Sequence, residues 1–317
     1  MRPKILVRVA VGVLVVAALA AAISAIAKNE PTYIGSEDCI VCHSDTHPAM
    51  VAAHAKTLHH SAMADAVKNP KSVVADFKTS PFPKAQVRYV LGTGKVYQNY
   101  LDKNLKLLPG KWDSLQKKWV KIESVDGATQ CVGCHVTNFN PTKKTWTEMG
   151  VGCESCHGPG SAHSDSQEAK DITNLKLLNA KKLNMVCGHC HANGTDLTGK
   201  LAFSPTFRPG DELEQHFKLT PPPEGAQNSQ YNQFITTKHA EGSVIKCSTC
   251  HDTHGDKAKA AHQLRTPAND LCMGCHSVEM GDTKAVAGLK EHAPTAKADD
   301  TCATCHMMNG SHTFIAK

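Results

Sequence analysis

Cysteine spacing is the feature that most constrains this chain. Its 14 cysteines form seven Cys-x-x-Cys pairs, and a histidine follows each pair directly. We number these segments motifs 1 to 7 in chain order: Cys39, Cys42, His43; Cys131, Cys134, His135; Cys153, Cys156, His157; Cys187, Cys190, His191; Cys247, Cys250, His251; Cys272, Cys275, His276; and Cys302, Cys305, His306. Cys-x-x-Cys-His is the attachment signature of c-type haem, in which two thiols bind the porphyrin and the histidine is the proximal iron ligand.

Other uses of Cys-x-x-Cys do not explain this pattern. A zinc site joins two such pairs, which would leave one pair over and give the histidines no role. A thioredoxin-like redox site needs only one pair. Disulfides between cysteines so close in sequence would cross-link almost nothing, even in an exported protein. The sequence therefore predicts seven c-type haems, with one haem iron at each motif.

Histidine is abundant enough to supply a second ligand for every iron. Of the 19 histidines, seven lie in the motifs, which leaves twelve. The nine methionines show no regular relation to the motifs. We therefore expect bis-histidine, low-spin haems of low potential at most or all sites.

The N-terminus predicts export. A basic start with Arg2, Lys4 and Arg8 is followed by an apolar run over residues 9–27 that ends in Ala-Ile-Ala. This pattern is typical of a secretory signal peptide over residues 1–27, although residues 9–27 are also long enough to remain as a membrane anchor. In both cases residues 28–317 are expected to form a heptahaem domain in the periplasm or at the cell surface.

Charge argues against nucleic acid as a partner. The formal net charge is +6, and it falls to +3 without the three basic residues of the leader. Two propionates on each haem then make the mature protein negative, so the basic surface expected of a nucleic-acid-binding protein is absent. Aromatic residues make up only 5% of the chain. The porphyrins are therefore expected to be the apolar core, and the haem-free chain to be largely unfolded.

The predicted fold is mainly α, with extensive irregular structure, a small antiparallel β meander and a haem-packed core. A helix is predicted over residues 48–67, ended by Asn69-Pro70. Alternation of apolar and polar residues between Gln86 and Val125 predicts strands at 87–91, 96–101, 105–108 and 119–122. Residues 195–235 are a candidate link between sub-parts 28–200, with haems 1–4, and 201–317, with haems 5–7.

Several stretches carry a family resemblance: residues 33–36, the sequence Gly-Val-Gly-Cys-Glu-Ser-Cys-His-Gly-Pro-Gly at 150–160 with His163, Phe-Ile-Thr-Thr-Lys-His at 234–239, residues 247–251 with His254-Gly255, and Cys302 to Met307. From Tyr33 to Met307 the chain resembles the multihaem cytochrome family of the cytochrome c-554 type. That superfamily also contains hydroxylamine oxidoreductase and pentahaem nitrite reductase. The resemblance implies closely stacked parallel and perpendicular haem pairs, with distal ligands from distant sequence positions.

Seven histidines are candidate distal ligands. His163 and His254 closely follow motif histidines, a position from which a ring usually reaches the neighbouring haem. By resemblance, His239 and His59 match distal ligands of the family, and His292 and His312 flank the last motif in the same manner. His54 completes the set. His47, His60, His216 and His262 are reserves, and His189, inside motif 4, is expected to have a surface role.

The preferred functional hypothesis is electron transfer through a row of bis-histidine haems. The expected partners are other redox proteins, such as cytochromes or a quinol-oxidising membrane complex, or an extracellular acceptor; a homo-oligomer or filament is a variant of this hypothesis. The alternative is a haem enzyme with one open iron, acting on small nitrogen or sulfur compounds. All seven motifs end in histidine, whereas the nitrite-reductase variant has lysine in one motif. A haem-storage or scaffolding protein is a third hypothesis.

Overall fold

The computed structural model describes residues 30–222, 229–277 and 292–315. The predicted leader, residues 1–27, lies outside these ranges. Among these residues, no helix is both long enough and apolar enough to cross a bilayer.

Short helices carry most of the regular structure, and the motifs lie on or next to them. In the described ranges the α-helices span Ser36–Thr46, Pro48–His54, Gly127–Gln130, Val132–His135, Cys153–His157, Ser161–Ser166, Ala180–Gly188, Gln230–Phe234, Lys238–Glu241, Cys247–Cys250, Ala268–Met273 and Cys302–His306. Single 3-10 turns and irregular segments connect them.

A five-stranded antiparallel sheet separates motif 1 from motif 2. Its strands, which pair in chain order, are β1 (Met63–Asp65), β2 (Tyr89–Leu91), β3 (Tyr97–Leu101), β4 (Gly110–Asp113) and β5 (Lys118–Lys121). Val136–Thr137 pairs with Glu148–Met149, and Gly194–Asp196 pairs with Phe217–Leu219, as two smaller antiparallel ribbons. The predicted fold class, mainly helical and irregular with a small antiparallel meander, is confirmed.

Two local predictions were wrong. The helix predicted over residues 48–67 ends at His54, and residues 63–65 instead form β1, which pairs with β2. The strand predicted at 105–108 makes only isolated bridges, and β4 begins at Gly110. In the first case long-range strand pairing overrides the helical preference of the residues. In the second, the φ of 67° at Leu105 lies in the left-handed region and interrupts the strand.

The sheet has two different apolar faces. One face, with Met63, Leu91 and Leu101, packs against Val132 and Val136 of the motif 2 region. The other face packs Val90, Tyr100 and Trp112 under Phe82 and Val87 from the preceding irregular segment. The first face therefore places motif 2 directly against the sheet, while the second forms a core that contains no motif residue.

Candidate haem-binding sites

Short helices give the motif side chains their common orientation. Motif 3 coincides with the helix Cys153–His157, and motif 7 with Cys302–His306. Residues three and four apart lie on one face of a helix, so the two cysteines and the histidine of each of these motifs project from the same side. This is the arrangement needed to attach one porphyrin and to coordinate its iron.

Backbone carbonyl groups orient several motif histidines. The Nδ1–H group donates a hydrogen bond in four of them: His135 to Ala62 (2.9 Å), His157 to Thr173 (3.0 Å), His251 to His262 (2.9 Å) and His306 to Ile315 (2.6 Å). Two distal candidates do the same, His163 to Glu168 (3.0 Å) and His312 to Gly310 (3.0 Å). Metal-binding histidines characteristically use the second nitrogen in this way, which leaves Nε2 free for the metal.

Burial keeps the rings neutral and so able to bind a metal. It lowers the pKa of the motif histidines His135, His157 and His191. Burial, together with the neighbouring His191, lowers the pKa of His59 to about 4. A neutral imidazole has a free lone pair, so these residues fit iron ligation near neutral pH.

Six of the seven motif histidines face a second histidine ring within the described part of the chain. The pairs, with their ring-centre distances and interplanar angles, are His43 with His163 (6.3 Å, 22°), His157 with His254 (6.2 Å, 8°), His191 with His59 (6.0 Å, 86°), His251 with His312 (6.1 Å, 26°), His276 with His239 (5.9 Å, 83°) and His306 with His292 (5.8 Å, 28°).

These distances match the separation of two imidazoles on one metal ion. An imidazole nitrogen lies about 2 Å from the metal it binds, so two rings on opposite sides of one ion have centres about 6 Å apart. Direct stacking would bring the rings closer together. The six pairs therefore fit an iron between their rings, and the donor set fits haem.

His135 of motif 2 differs from the other motif histidines. Its Nδ1–H group is held by Ala62 in the usual way. Among the aromatic contacts of the described residues, however, no histidine ring faces His135. A cavity beside Gly133 and Cys134 is not lined by His135 itself. Its polar lining groups are Tyr33, Asn138, Ser155, His189 and Ser204. Within the described ranges, motif 2 therefore has one imidazole where the other motifs have two.

The remaining histidines are not part of these six pairs. The ring of His54 faces that of His60 (5.8 Å, 77°) and not that of a motif histidine. His47 lies 5.6 Å from His43, tilted by 58°, and its Nδ1 contacts Thr46. His189 bonds the carbonyl of Ser204 (2.9 Å) and packs on Phe207, so the expected surface role is wrong. His216 contacts Thr206 and Asp211.

Gly150 allows the backbone of His59 and His60 to approach the segment just before motif 3. Its φ of 84° is in the left-handed region, and a β-carbon there would collide with the carbonyl oxygen of His60. The amide of Val151 donates to the carbonyl of His59 (2.8 Å). Glycine thus permits a close backbone approach that fixes His59 opposite His191.

Cysteine contacts show which motifs are neighbours. Four pairs of cysteine side chains lie close together: Cys39 with Cys153, Cys187 with Cys247, Cys272 with Cys302, and Cys134 with Cys190. Cys156 lies near Cys190, and Cys250 lies near Cys275. The motifs therefore follow one continuous path, 1–3–4–5–6–7, and motif 2 joins it beside motif 4.

Sequence reasoning missed three polar residues that connect these motifs. Ser36, Asn184 and Asn269 each accept a hydrogen bond from the first cysteine amide of another motif. Each stands three residues before the first cysteine of its own motif. This shared position was the signal available in the sequence.

Two sequence-family models match the chain. The model described as cytochrome c554 and c-prime matches residues 97–158, and the model described as a doubled CXXCH motif matches residues 239–281. The first range contains motifs 2 and 3, and the second contains motifs 5 and 6.

Curated relatives support the same assignment. The multihaem cytochrome MtrA of Shewanella baltica is 25% identical over 229 residues, which cover 64% of this chain and 56% of MtrA. Cytochrome c-554 of Nitrosomonas europaea is 33% identical over 126 residues, which cover 32% of this chain and 54% of the relative. The matched stretches thus span little more than half of either relative.

A solved structure has a similar fold. The outer cell wall cytochrome OcwA superposes with a TM-score of 0.71 at 22% sequence identity, over 89% of this chain and 79% of OcwA. Together with the family matches, this confirms the predicted resemblance to multihaem c-type cytochromes of the c-554 type.

Proposed function

We propose that this multihaem c-type cytochrome binds seven haems and transfers electrons along them between other redox proteins. Each haem is attached through the two cysteines of one motif. Six histidine pairs would each hold one iron, and of the histidines in the described residues only His135 would hold the iron at motif 2. Haem supplies one-electron chemistry, and its potential depends on the axial ligands and their surroundings.

The six histidine pairs on a continuous path of motifs carry this proposal. Two imidazoles fill both axial positions of an iron, which favours electron transfer over substrate binding. Cysteines of neighbouring motifs lie close together, and these cysteines would attach the porphyrin edges. The resulting path runs from motif 1 to motif 7, and such a path suits a wire better than a store of separate haems.

The protein groups have two tasks in this proposal. Backbone carbonyl groups such as those of Ala62 and Thr173 fix the plane of each ligating ring, so little rearrangement accompanies a change of charge at the iron. Burial lowers the pKa of ligands such as His59 and keeps them neutral and bound.

We further propose that the chain acts outside the cytoplasm, in the periplasm or at the cell surface. The leader-like sequence at residues 1–27 supports this location. The similar fold of an outer cell wall cytochrome is compatible with it. The mass of the N-terminal peptide of the purified protein would distinguish a cleaved leader from a retained anchor.

Haem count and coordination test the proposal together. We expect the intact mass and the pyridine haemochrome assay to give seven haems per chain, and a reductive titration to take up seven electrons. Resonance Raman spectra should show six six-coordinate low-spin haems and one five-coordinate haem. Fewer than seven haems, or several five-coordinate haems, would contradict the proposal.

His135 supports a second candidate function at motif 2. An iron with one protein ligand has an open position for a small nitrogen or sulfur compound, and the adjacent motif 4 connects it to the other haems. Cyanide, nitrite, hydroxylamine and sulfite should then perturb only the five-coordinate signal. Turnover of one of these compounds would indicate an enzyme, and binding without turnover would leave electron transfer as the function.

A further inference from the structure

Three polar side chains make the same contact in three different places. Oγ of Ser36 accepts from the amide of Cys153 at 2.9 Å. Oδ1 of Asn184 accepts from the amide of Cys247 at 2.7 Å. Oδ1 of Asn269 accepts from the amide of Cys302 at 2.8 Å. Each contact links the helix of one motif to the start of the helix of another.

The recipient in each case is a helix that begins at its first cysteine. The helices Cys153–His157, Cys247–Cys250 and Cys302–His306 all start in this way. The first amides of a helix have no partner within the helix and need an acceptor from outside. Here the neighbouring motif provides that acceptor, so the cap is also a connection between two motifs.

The first cysteines of the same three motif pairs also lie close together. Cys39 is near Cys153, Cys187 is near Cys247, and Cys272 is near Cys302. In every pair both residues are the first cysteine of their motif. Motifs 1 and 3, 4 and 5, and 6 and 7 are therefore joined by the same two contacts. Motif 2 has Ala128 at the position of the cap and is not joined in this way within the described residues.

Two of the caps are held in place by a second bond. Asn184 is buried, and its Nδ2 donates to the carbonyl of Ile245 at 3.0 Å. The side-chain amide therefore binds the backbone at the start of motif 5 at two points. The hydroxyl of Ser36 donates to Glu148 at 2.8 Å, which turns its lone pair towards Cys153. These side chains are thus fixed in the orientation that the cap requires.

We infer that Ser36, Asn184 and Asn269 are positioning residues that build three copies of one two-haem unit, at motifs 1 and 3, 4 and 5, and 6 and 7. The inference rests on the proposed attachment of a haem at every motif. Since the first cysteine carries one edge of its porphyrin, the cap sets the separation of two haem edges. The wire then contains three pairs with the same geometry, and the haem of motif 2 lies beside motif 4 without a cap of this kind.

Electron paramagnetic resonance of the oxidised protein tests this role. Two paramagnetic irons in close contact broaden each other's signals, so the wild type should show less resolved low-spin intensity than its haem content. Asn184→Ala should restore the intensity of the two haems of motifs 4 and 5. Asn269→Ala should restore that of motifs 6 and 7, and the double variant should restore both.

Two further variants separate positioning from general stabilisation. Asn184→Ser keeps a cap acceptor, as Ser36 does in the first pair, and should retain the wild-type spectrum. Asn179→Ala removes the ordinary N-cap of the same helix, where Asn179 accepts from the amide of Lys182 at 2.9 Å. Asn179→Ala should lower the free energy of unfolding but leave the electron paramagnetic resonance spectrum unchanged.

Three results would overturn the inference: full resolved intensity in the wild type, an unchanged spectrum in Asn184→Ala, or the same spectrum in Asn179→Ala as in Asn184→Ala. Haem content and Raman spectra of each variant keep the two proposals apart. If seven haems are present but the caps have no effect on the spectrum, only the paired units fail. If the wild type lacks seven haems, the proposed function fails as well.

Discussion

Glu154 is a fully buried carboxylate in the middle of motif 3, between its two cysteines. Its oxygens accept hydrogen bonds from the amides of Ile34 (3.0 and 3.1 Å), Gly35 (2.7 Å) and Gly160 (2.7 Å). A buried charge is tolerated where several donors surround it. Glu154 therefore ties the segment before motif 1 and the loop after motif 3 to one point.

Glu154→Gln should destabilise the protein strongly. The substitution removes the charge and turns an NH2 group towards amide donors, so at least one buried donor loses its acceptor. We expect a loss of about 3 kcal/mol in the free energy of unfolding, measured by denaturant titration with circular dichroism. Glu37→Gln, at an exposed position, is the control and should change it by less than about 0.5 kcal/mol. Equal effects would refute this role of Glu154.

His254 is the clearest of the proposed distal ligands, since its ring is nearly parallel to that of His157. His254→Ala should convert one low-spin haem to a five-coordinate haem and leave the haem content unchanged. Resonance Raman spectroscopy measures both forms. His262→Ala is the matched control, because His262 lies nearby in sequence and its ring faces no motif histidine in the described residues. A wild-type spectrum for His254→Ala would mean that another group binds this iron.

The sequence was informative for the motif residues and less so for their partners. A motif histidine is recognised from its two cysteine neighbours, because thioether attachment is a local pattern. A distal histidine carries no such pattern, since it comes from another part of the chain. His163 and His254 were indicated by position after a motif, but the iron that each faces depends on folding. His54 was assigned by count alone, and it lies beside His60.

At the scale of elements, β1 shows how tertiary pairing overrides local preference. Met63 and Ala64 are good helix formers, and the sequence predicted a helix there. In the structure Met63 pairs with Leu91 and Asp65 pairs with Tyr89. Asp65 also makes an ion pair with Arg88 at 2.7 Å, which fixes the register. The other strands were recognisable because one face of each is buried, which makes apolar and polar residues alternate along the sequence.

The sheet face against motif 2 should matter for stability. Leu101 is fully buried in the cluster that contains Val132 of motif 2. Leu101→Ala leaves a cavity and should lower the free energy of unfolding by about 3 kcal/mol, measured by denaturant titration. Leu115→Ala is the control, because Leu115 is 72% exposed, and should have almost no effect. A small loss in both variants would mean that this face can collapse around the cavity.

On the scale of the whole molecule, two kinds of core coexist. The cluster of Val90, Tyr100 and Trp112 contains no motif residue and needs no cofactor to form. The clusters around Val132 and Met185, by contrast, include motif cysteines such as Cys134 and Cys156. Seven of the 16 aromatic residues lie within residues 63–121. The other two clusters combine aromatic side chains with motif cysteines, so their packing is expected to depend on haem.

The haem-free chain should accordingly be folded only in part. Motif helices of four or five residues, such as Cys247–Cys250 and Cys153–His157, are too short to be stable alone. The sheet from Met63 to Lys121 has its own apolar cluster and paired strands. For mature chain produced without haem attachment, we expect hydrogen exchange to show protection only within residues 63–121, whereas the holoprotein should also protect the motif segments. Protection of the motif helices in the haem-free chain would mean that polypeptide contacts, and not the porphyrins, hold the motif region together.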